Sequence, residues 1–362
     1  FWSLWLRTFV TAFSIPHLAL SAELTSDYHD RSRLLALRLG FMFMITLLLP
    51  AAGLLFIFAG GQDIDGRFVA ENYPGYGVMS AALAIVLGLI TVLGTRQHTS
   101  QPDDQLEDYA PPTLRDYLND VTETFRNKLF RRLISYEIAC AVGWGGLSTL
   151  HILVATYVFE FDADEMALIL ALPVVIGVTL VWALMGTLTR RWQKPQLLRF
   201  ALWGMLFNMI WLYPLKLADL LPPNESPIVL ALYLIQSTLF TAFFFLRMTN
   251  SMSLVADITD QHELEQGERK EGGFFSVMTF TLKMATLVGP LYGGIALDVI
   301  GLDKQALPGD VAQPVLAGLM YAVLLIVIPT LIVALRYSYL IDISRDDIAR
   351  VQAQLLERKA PA

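Results

Sequence analysis

The sequence holds a single cysteine, Cys140, among 362 residues, so no disulfide framework can staple it. Charge is also scarce: Asp, Glu, Lys and Arg supply only 16% of the chain, too little for the surface of an ordinary soluble domain of this size. His262-Glu263 lacks a second His at metal-ligand spacing, and His29 and His98 stand in polar stretches without a spaced partner. A membrane-embedded transferase working through His or a metal therefore has no motif here, and no metal site is expected. With a net charge of -7, no nucleic-acid partner is expected either. The chain begins with Phe1, without a Met, a basic n-region or a small-residue cleavage site, and reads as starting partway through a longer protein.

What is abundant is apolar. Hydrophobic residues make up 55% of the chain, the mean hydropathy is +0.53, and the apolar residues gather in runs of roughly 18 to 25, long enough to cross about 30 Å of hydrocarbon. Nine runs are expected to span, at 3–22, 36–60, 77–95, 134–158, 166–188, 198–217, 228–248, 274–298 and 315–337. Of the 26 Lys and Arg, Arg67, Lys216 and Lys304 accompany one alternate set of connections, and Arg7 and Lys283 lie within spans. The rest lie in or beside residues 23–35, 96–133, 189–197, 249–273 and the C-terminal tail. Basic residues favour the cytoplasm, so that set of loops is expected inside and the chain is expected to be a multi-pass protein of a plasma membrane, a bacterial inner membrane being the natural setting.

The longest polar interval, 96–133, separates three spans from six. Its prolines at 102, 111 and 112 suit a linker, whereas Leu114, Leu118, Val121, Phe125 and Leu129 recur at helical spacing and predict an amphipathic helix. In the tail, Ser344 with Asp347 resembles a capping box, and Ile348, Val351 and Leu355 form the stripe of a short helix.

Three spans carry polar stripes. Arg7, Thr11, Ser14, His17 and Ser21 share one helix face. A charged side chain at mid-bilayer costs about 2.5–3.5 kcal/mol even on lenient scales, so such a face points to a cavity or to partners rather than to lipid. Glu137, Trp144, Ser148 and His151 follow at 7, 4 and 3; Glu137 is read as interfacial, and His151 either binds solute, carries a proton or is a satisfied packing histidine. Thr279, Lys283, Thr286 and Pro290 recur at 4, 3 and 4. Lys283 lies about ten residues into its span, too deep to snorkel easily, and needs an anionic partner. Gly289, Pro290, Gly293 and Gly294 predict close packing, with a bend as a second role.

One short repeat organises the polar loops. Ala22-Glu23-Leu24-Thr25 and Ala256-Asp257-Ile258-Thr259 each follow a span leaving toward the basic side, and each is followed by Asp and then Arg. Duplicated transporter folds show such paired halves, with the solute site between them. Asp27, Arg31 and Arg33, with Asp257, Asp260, Arg269 and Lys270, are then expected to form a cytoplasmic gate of ion pairs. Exposed pairs contribute about 0–1 kcal/mol each, so a gate needs several.

The stretches "SIPHLALSAELTSDYHDRSRLLALR" and "ADITDQHELEQGERKEGGFFSVMTFTLKMATLVG" resemble the glycoside-pentoside-hexuronide:cation symporter family, the melibiose permease-like branch of the major facilitator superfamily. The resemblance implies an all-α membrane fold of two six-helix halves, in which this chain supplies nine transmembrane helices equivalent to 4–12 of 12. Residues 1–95 would be the rest of the N-terminal half, 96–133 a cytoplasmic linker, 134–340 the C-terminal half and 341–362 a cytoplasmic tail. It further implies cation binding at Thr11 and solute binding at Ser14, Arg38 and Lys283, to which the polar stripes add His17 and His151 as candidate solute contacts. Ser14 replaces an Asp and Leu18 an aromatic of the sugar permease. "GTLTRRWQKP" at 186–195 is similar to the superfamily's loop between helices 8 and 9. The expected activity is symport of a sugar or glycoside-type small solute with Na+ or H+, by a monomer in a lipid bilayer, with no cofactor beyond the coupling cation. A carrier or exporter of a lipid-like or drug-like solute is the alternative.

Overall fold

A computed structural model describes residues 5, 6, 8–10, 12, 13, 41, 45, 46, 48–58, 65–96, 122, 124–267, 271–303 and 305–359. Among these there is helix and no strand. The chain falls into two compact units, Phe1–Pro111 and Pro112–Ala362.

In the first unit, residues 48–56 are helical and α1 spans Asn72–Thr95. The turn between them is tied by its own polar groups. Asp65 accepts from the Arg67 backbone N–H at 2.9 Å and pairs with its guanidinium at 2.6 Å, Asn72 donates to the Gly66 carbonyl at 2.9 Å, and the Tyr73 hydroxyl donates to the Arg67 carbonyl at 2.8 Å. Gly53 lies against the Tyr76 ring, where a Cβ would come within 2.5 Å of it.

The second unit contains α2 (Lys128–Leu153), prolonged by a π-turn over Val154–Val158, α3 (Ala163–Arg191), α4 (Lys194–Met209), the short α5 (Leu212–Leu217), α6 (Pro227–Gln266), α7 (Glu271–Thr286), α8 (Val288–Ile300), α9 (Gln313–Leu340) and α10 (Arg345–Lys359). The starts follow from side chains that satisfy the first backbone N–H groups. Asn127 accepts from Phe130 N–H at 3.0 Å, and Asp162 and Glu165 form a reciprocal capping box. Seven helices of the described residues are long and apolar enough to cross a membrane. The expected spans 3–22 and 36–60 fall largely outside the described residues.

One expected loop is a helix. The charged stretch from 249 onward was expected to leave the membrane as a loop, yet α6 runs unbroken for 40 residues to Gln266. No Gly or Pro interrupts it between Pro227 and Gly267, which closes it in the left-handed region at φ 81°. At 1.5 Å per residue the helix is about 60 Å long, twice the hydrocarbon thickness, so its final turns project from the bilayer.

Packing sorts the helices into two groups. α2 lies against α7, α8 and α9, while α6 lies against α3 and α4, and α4 also meets α9. The glycines of α2 make the first group possible. A Cβ on Gly143 or Gly146 would strike Thr330 or Ile326 of α9, and one on Gly145 would meet the Thr286 carbonyl at 2.9 Å. Gly289 of α8 abuts the Gly145 backbone, and a Cβ on Gly293 would meet Thr149 at 2.5 Å. Without a hydrophobic force between helices in lipid, such close approach is how they bind one another. Gly289 and Gly293 of the penultimate span therefore do pack closely, whereas Gly294 faces open space, and the helix is also interrupted, at Leu287 between α7 and α8.

The tail helix returns to the basic side of this unit. The Ser344 hydroxyl and the Asp347 carboxylate meet at 2.6 Å and Asp347 N–H donates to Ser344 Oγ at 3.1 Å, as the capping-box pattern predicts. Arg345 donates to the carbonyls of Thr189, Arg190 and Trp192, which end α3, and Arg358 donates to the Leu264 carbonyl of α6 at 2.9 Å.

Candidate solute and coupling site

Glu137, Trp144 and His151 stand seven residues apart on α2, and seven residues of α-helix return to within about 20° of the same direction. All three meet α6. Glu137 Oε1 accepts from Arg247 Nη1 at 2.9 Å, Trp144 stacks on Phe244 and Phe240 with ring centroids 4.4 and 6.5 Å away, and His151 Nε2 shares a 3.0 Å hydrogen bond with the Tyr233 hydroxyl. The two helices therefore run antiparallel, joined by long side chains while their backbones come close at few places.

The ion pair lies deep. Both side chains are 5% exposed, and the guanidinium also sits 5.1 Å from the Phe244 ring centroid and 3.4 Å from the Tyr136 hydroxyl. Glu137, read from sequence as interfacial, is the tenth residue of α2, buried within the unit and paired. The apolar pattern alone does not single out Arg247, which stands at the end of an apolar run beside the loop charges. The signal that finds it is spacing, since Tyr233, Gln236, Phe240, Phe244 and Arg247 follow at 3, 4, 4 and 3 on one face of α6. A cavity of about 10 Å³, lined in part by Cys140, Trp144, Phe244, Arg247 and Thr330, adjoins the pair, room for about one water.

At the other end, about 21 Å along α2 from Glu137, His151 belongs to a polar group. Tyr213 and Gln236 are buried beside the Tyr233 end, the Tyr213 hydroxyl and Gln236 Nε2 having no hydrogen-bond partner among the described residues. Asn208 donates to the Gln236 carbonyl at 2.8 Å. Between the two polar ends Trp144 remains 41% exposed within its unit, and Ser148 one turn on is exposed as well. An aromatic face flanked by hydrogen-bonding groups and a charge is an arrangement able to hold a polyhydroxylated ring.

The other expected site residues are dispersed. Lys283 is exposed on α7, and among the described residues no carboxylate pairs with it. Asp257 is buried, and its Oδ2 lies 2.5 Å from Lys194 Nζ at the start of α4. Asp260, one turn further, accepts from Gln352 of the tail helix at 3.5 Å. Of the expected gate, Asp257 and Asp260 are thus held by α4 and α10, partners not named from sequence. Thr11, Ser14, His17, Arg38, Asp27, Arg31, Arg33, Arg269 and Lys270 lie outside the described residues. Among the described residues no group of three or more His, Cys, Asp or Glu side chains is placed to hold a metal ion.

Compared with known proteins, the family model described as MFS/sugar transport protein matches residues 1–345. No curated protein matches the chain.

Proposed function

Because the chain belongs to the MFS/sugar transport protein family, a family of multi-pass membrane transporters, we propose that it is a secondary carrier moving a sugar or glycoside-type small solute together with Na+ or H+. The observation that carries this reading is Trp144, an exposed aromatic face on α2 with polar groups one and two turns to either side. Sugars offer an apolar ring face and a rim of hydroxyls, which matches such a surface. This supports placing the solute against the α2–α6 seam.

On this reading α2 to α9 are helices 7–12 of a melibiose permease-like fold, and the basic side carrying Lys194, Asp257 and the tail faces the cytoplasm of a plasma membrane. Alternating access would open and close each side in turn. The Lys194–Asp257 pair, with Lys194 35% and Asp257 8% exposed, would steady the α4–α6 corner on the cytoplasmic side. Thr11, Ser14, His17, Arg38 and Lys283 remain proposed contacts for cation and solute.

Binding to the purified protein tests the Trp144 assignment. Against a panel of radiolabelled sugars and glycosides, Trp144→Phe should keep most of the affinity and Trp144→Ala should lose about tenfold, near 1.4 kcal/mol. A Trp144→Ala variant that folds and binds like the parent would refute the placement.

A further inference from the structure

On the basic side of the second unit, the start of α2 and the end of α6 line a cavity of about 420 Å³, within the ~300–1,000 Å³ of small-molecule sites. Arg126, Lys128, Gln261, His262 and Glu265 are among its side chains. It is separate from the seam around Trp144, because His262 stands fifteen residues beyond Arg247 on α6, about 22 Å of helix.

Two features point to an anion there. His262 is 5% exposed, and its Nε2 is buried without a hydrogen-bond partner among the described residues. Its ring is fixed: Phe274 of α7 meets it edge-on at 5.2 Å and in turn meets Phe130 of α2 at 4.8 Å. A buried polar nitrogen left unpaired is costly, so a fixed one beside a cavity calls for a partner. The second feature is charge. Arg126 and Lys128 are exposed, flank Asn127, which caps α2, and make no ion pair among the described residues. Cations at the positive end of a helix dipole are repelled by it, while the first N–H groups lack intrahelical acceptors; a bound anion relieves both. Glu265, the one acid in the lining, accepts from Gln261 Nε2 at 2.9 Å, so positive charge remains in excess. Bases that merely set orientation would account for Arg126 and Lys128, but not for the unpaired buried nitrogen of His262.

We propose that this cavity binds the phosphate group of a small soluble ester, with Arg126, Lys128, His262 Nε2–H and the first N–H groups of α2 as donors. Phosphate suits them because it accepts several charge-assisted bonds at once, and the volume leaves room for the organic part of the ester. Position decides between a soluble molecule and a lipid headgroup. About 20 residues of α6, from Pro227 to near Arg247, cross the hydrocarbon, and the headgroup layer adds roughly 5–8 Å. His262 lies clear of that layer. Touching both α2 and α6, the ester would tie the two helices together on this side. The site stands whether or not the transported solute is a sugar.

The test is equilibrium binding of radiolabelled inorganic phosphate to the purified protein in phosphatidylcholine discs at physiological salt, with glycerophosphate, glycerol or added phosphatidylglycerol as competitors. Expected is saturable binding of one phosphate per chain, displaced by glycerophosphate but not by glycerol or phosphatidylglycerol. His262→Phe keeps a ring against Phe274 and should bind about tenfold more weakly, the loss of one charge-assisted bond. His262→Gln, which returns a donor, should stay close to the parent. Arg126→Gln/Lys128→Gln alters only exposed positions and should weaken binding at least as much, so the test holds even where His262→Phe does not fold. Absence of saturable binding in the parent, or undiminished binding in folded His262→Phe or in the double variant, would overturn the site. Displacement by phosphatidylglycerol would overturn the soluble source. Sugar binding by the double variant should match the parent, which keeps failure here distinct from failure of the carrier reading.

Discussion

Removing either member of the Glu137–Arg247 pair should destabilise the protein, but not symmetrically. Deleting one partner of a buried pair typically costs about 3–5 kcal/mol, because the other charge is left unpaired. Glu137→Leu strands Arg247, which has no neutral form to escape into. Arg247→Met strands a carboxylate, which escapes by taking a proton. Protonating an ordinary glutamate costs about 4 kcal/mol at pH 7 and about 1 kcal/mol at pH 5, so the penalty of Arg247→Met is capped near those values and shrinks in acid. The double variant Glu137→Leu/Arg247→Met should recover most of the loss, since a well-packed apolar replacement is often neutral or better. At roughly 2–4 °C per kcal/mol for a unit of this size, Glu137→Leu should melt about 10 °C below the parent at every pH. Arg247→Met should match it at pH 7 and regain most of the difference at pH 5. Thermal unfolding in detergent, followed by tryptophan fluorescence across pH, reads both. Equal penalties at all pH values, or additive losses in the double variant, would refute the burial and the pairing.

Two further outcomes follow from local geometry. Gly289→Ala would drive a Cβ into the Gly145 backbone and should cost about 1–3 kcal/mol by overpacking, seen as a lower melting temperature, while Gly294→Ala, with nothing within 4 Å, should be close to neutral. The hydrogen bonds from Ser344, with Arg350 nearby, hold the Asp347 carboxyl below its ordinary range. A depressed value means this contribution to the tail helix is complete above the ordinary carboxylate range and is lost as pH falls through the folded value. Proteolysis of the C-terminal segment should therefore accelerate in acid in the parent and already be fast in Asp347→Asn.

The seven apolar runs that the described residues cover and the polar stripe of α2 were legible in the sequence because bilayer thickness and helical period leave few choices. Four things were not. The end of α6 was hidden because hydropathy reports where a helix leaves lipid, not where it stops, and its sequence holds no breaker before Gly267. Arg247 was hidden for the same reason, since a charge near the end of an apolar run looks like a loop charge until its helix is known to continue. The pairing of Glu137 was hidden because its partner, Arg247, lies 110 residues further along the chain on another helix. The partners of Asp257 and Asp260 come from α4 and α10, contacts between distant segments that no periodicity encodes.

The central claim is that this chain moves a sugar under the drive of a cation gradient. Uptake of radiolabelled sugars and glycosides into vesicles holding the purified protein, with a sodium gradient, a proton gradient or neither, tests it most directly. The account predicts accumulation of at least one such solute above its outside concentration when one of the two gradients is imposed, and mere equilibration without it. Absence of accumulation across the panel under both gradients, or identical accumulation with and without them, would contradict it.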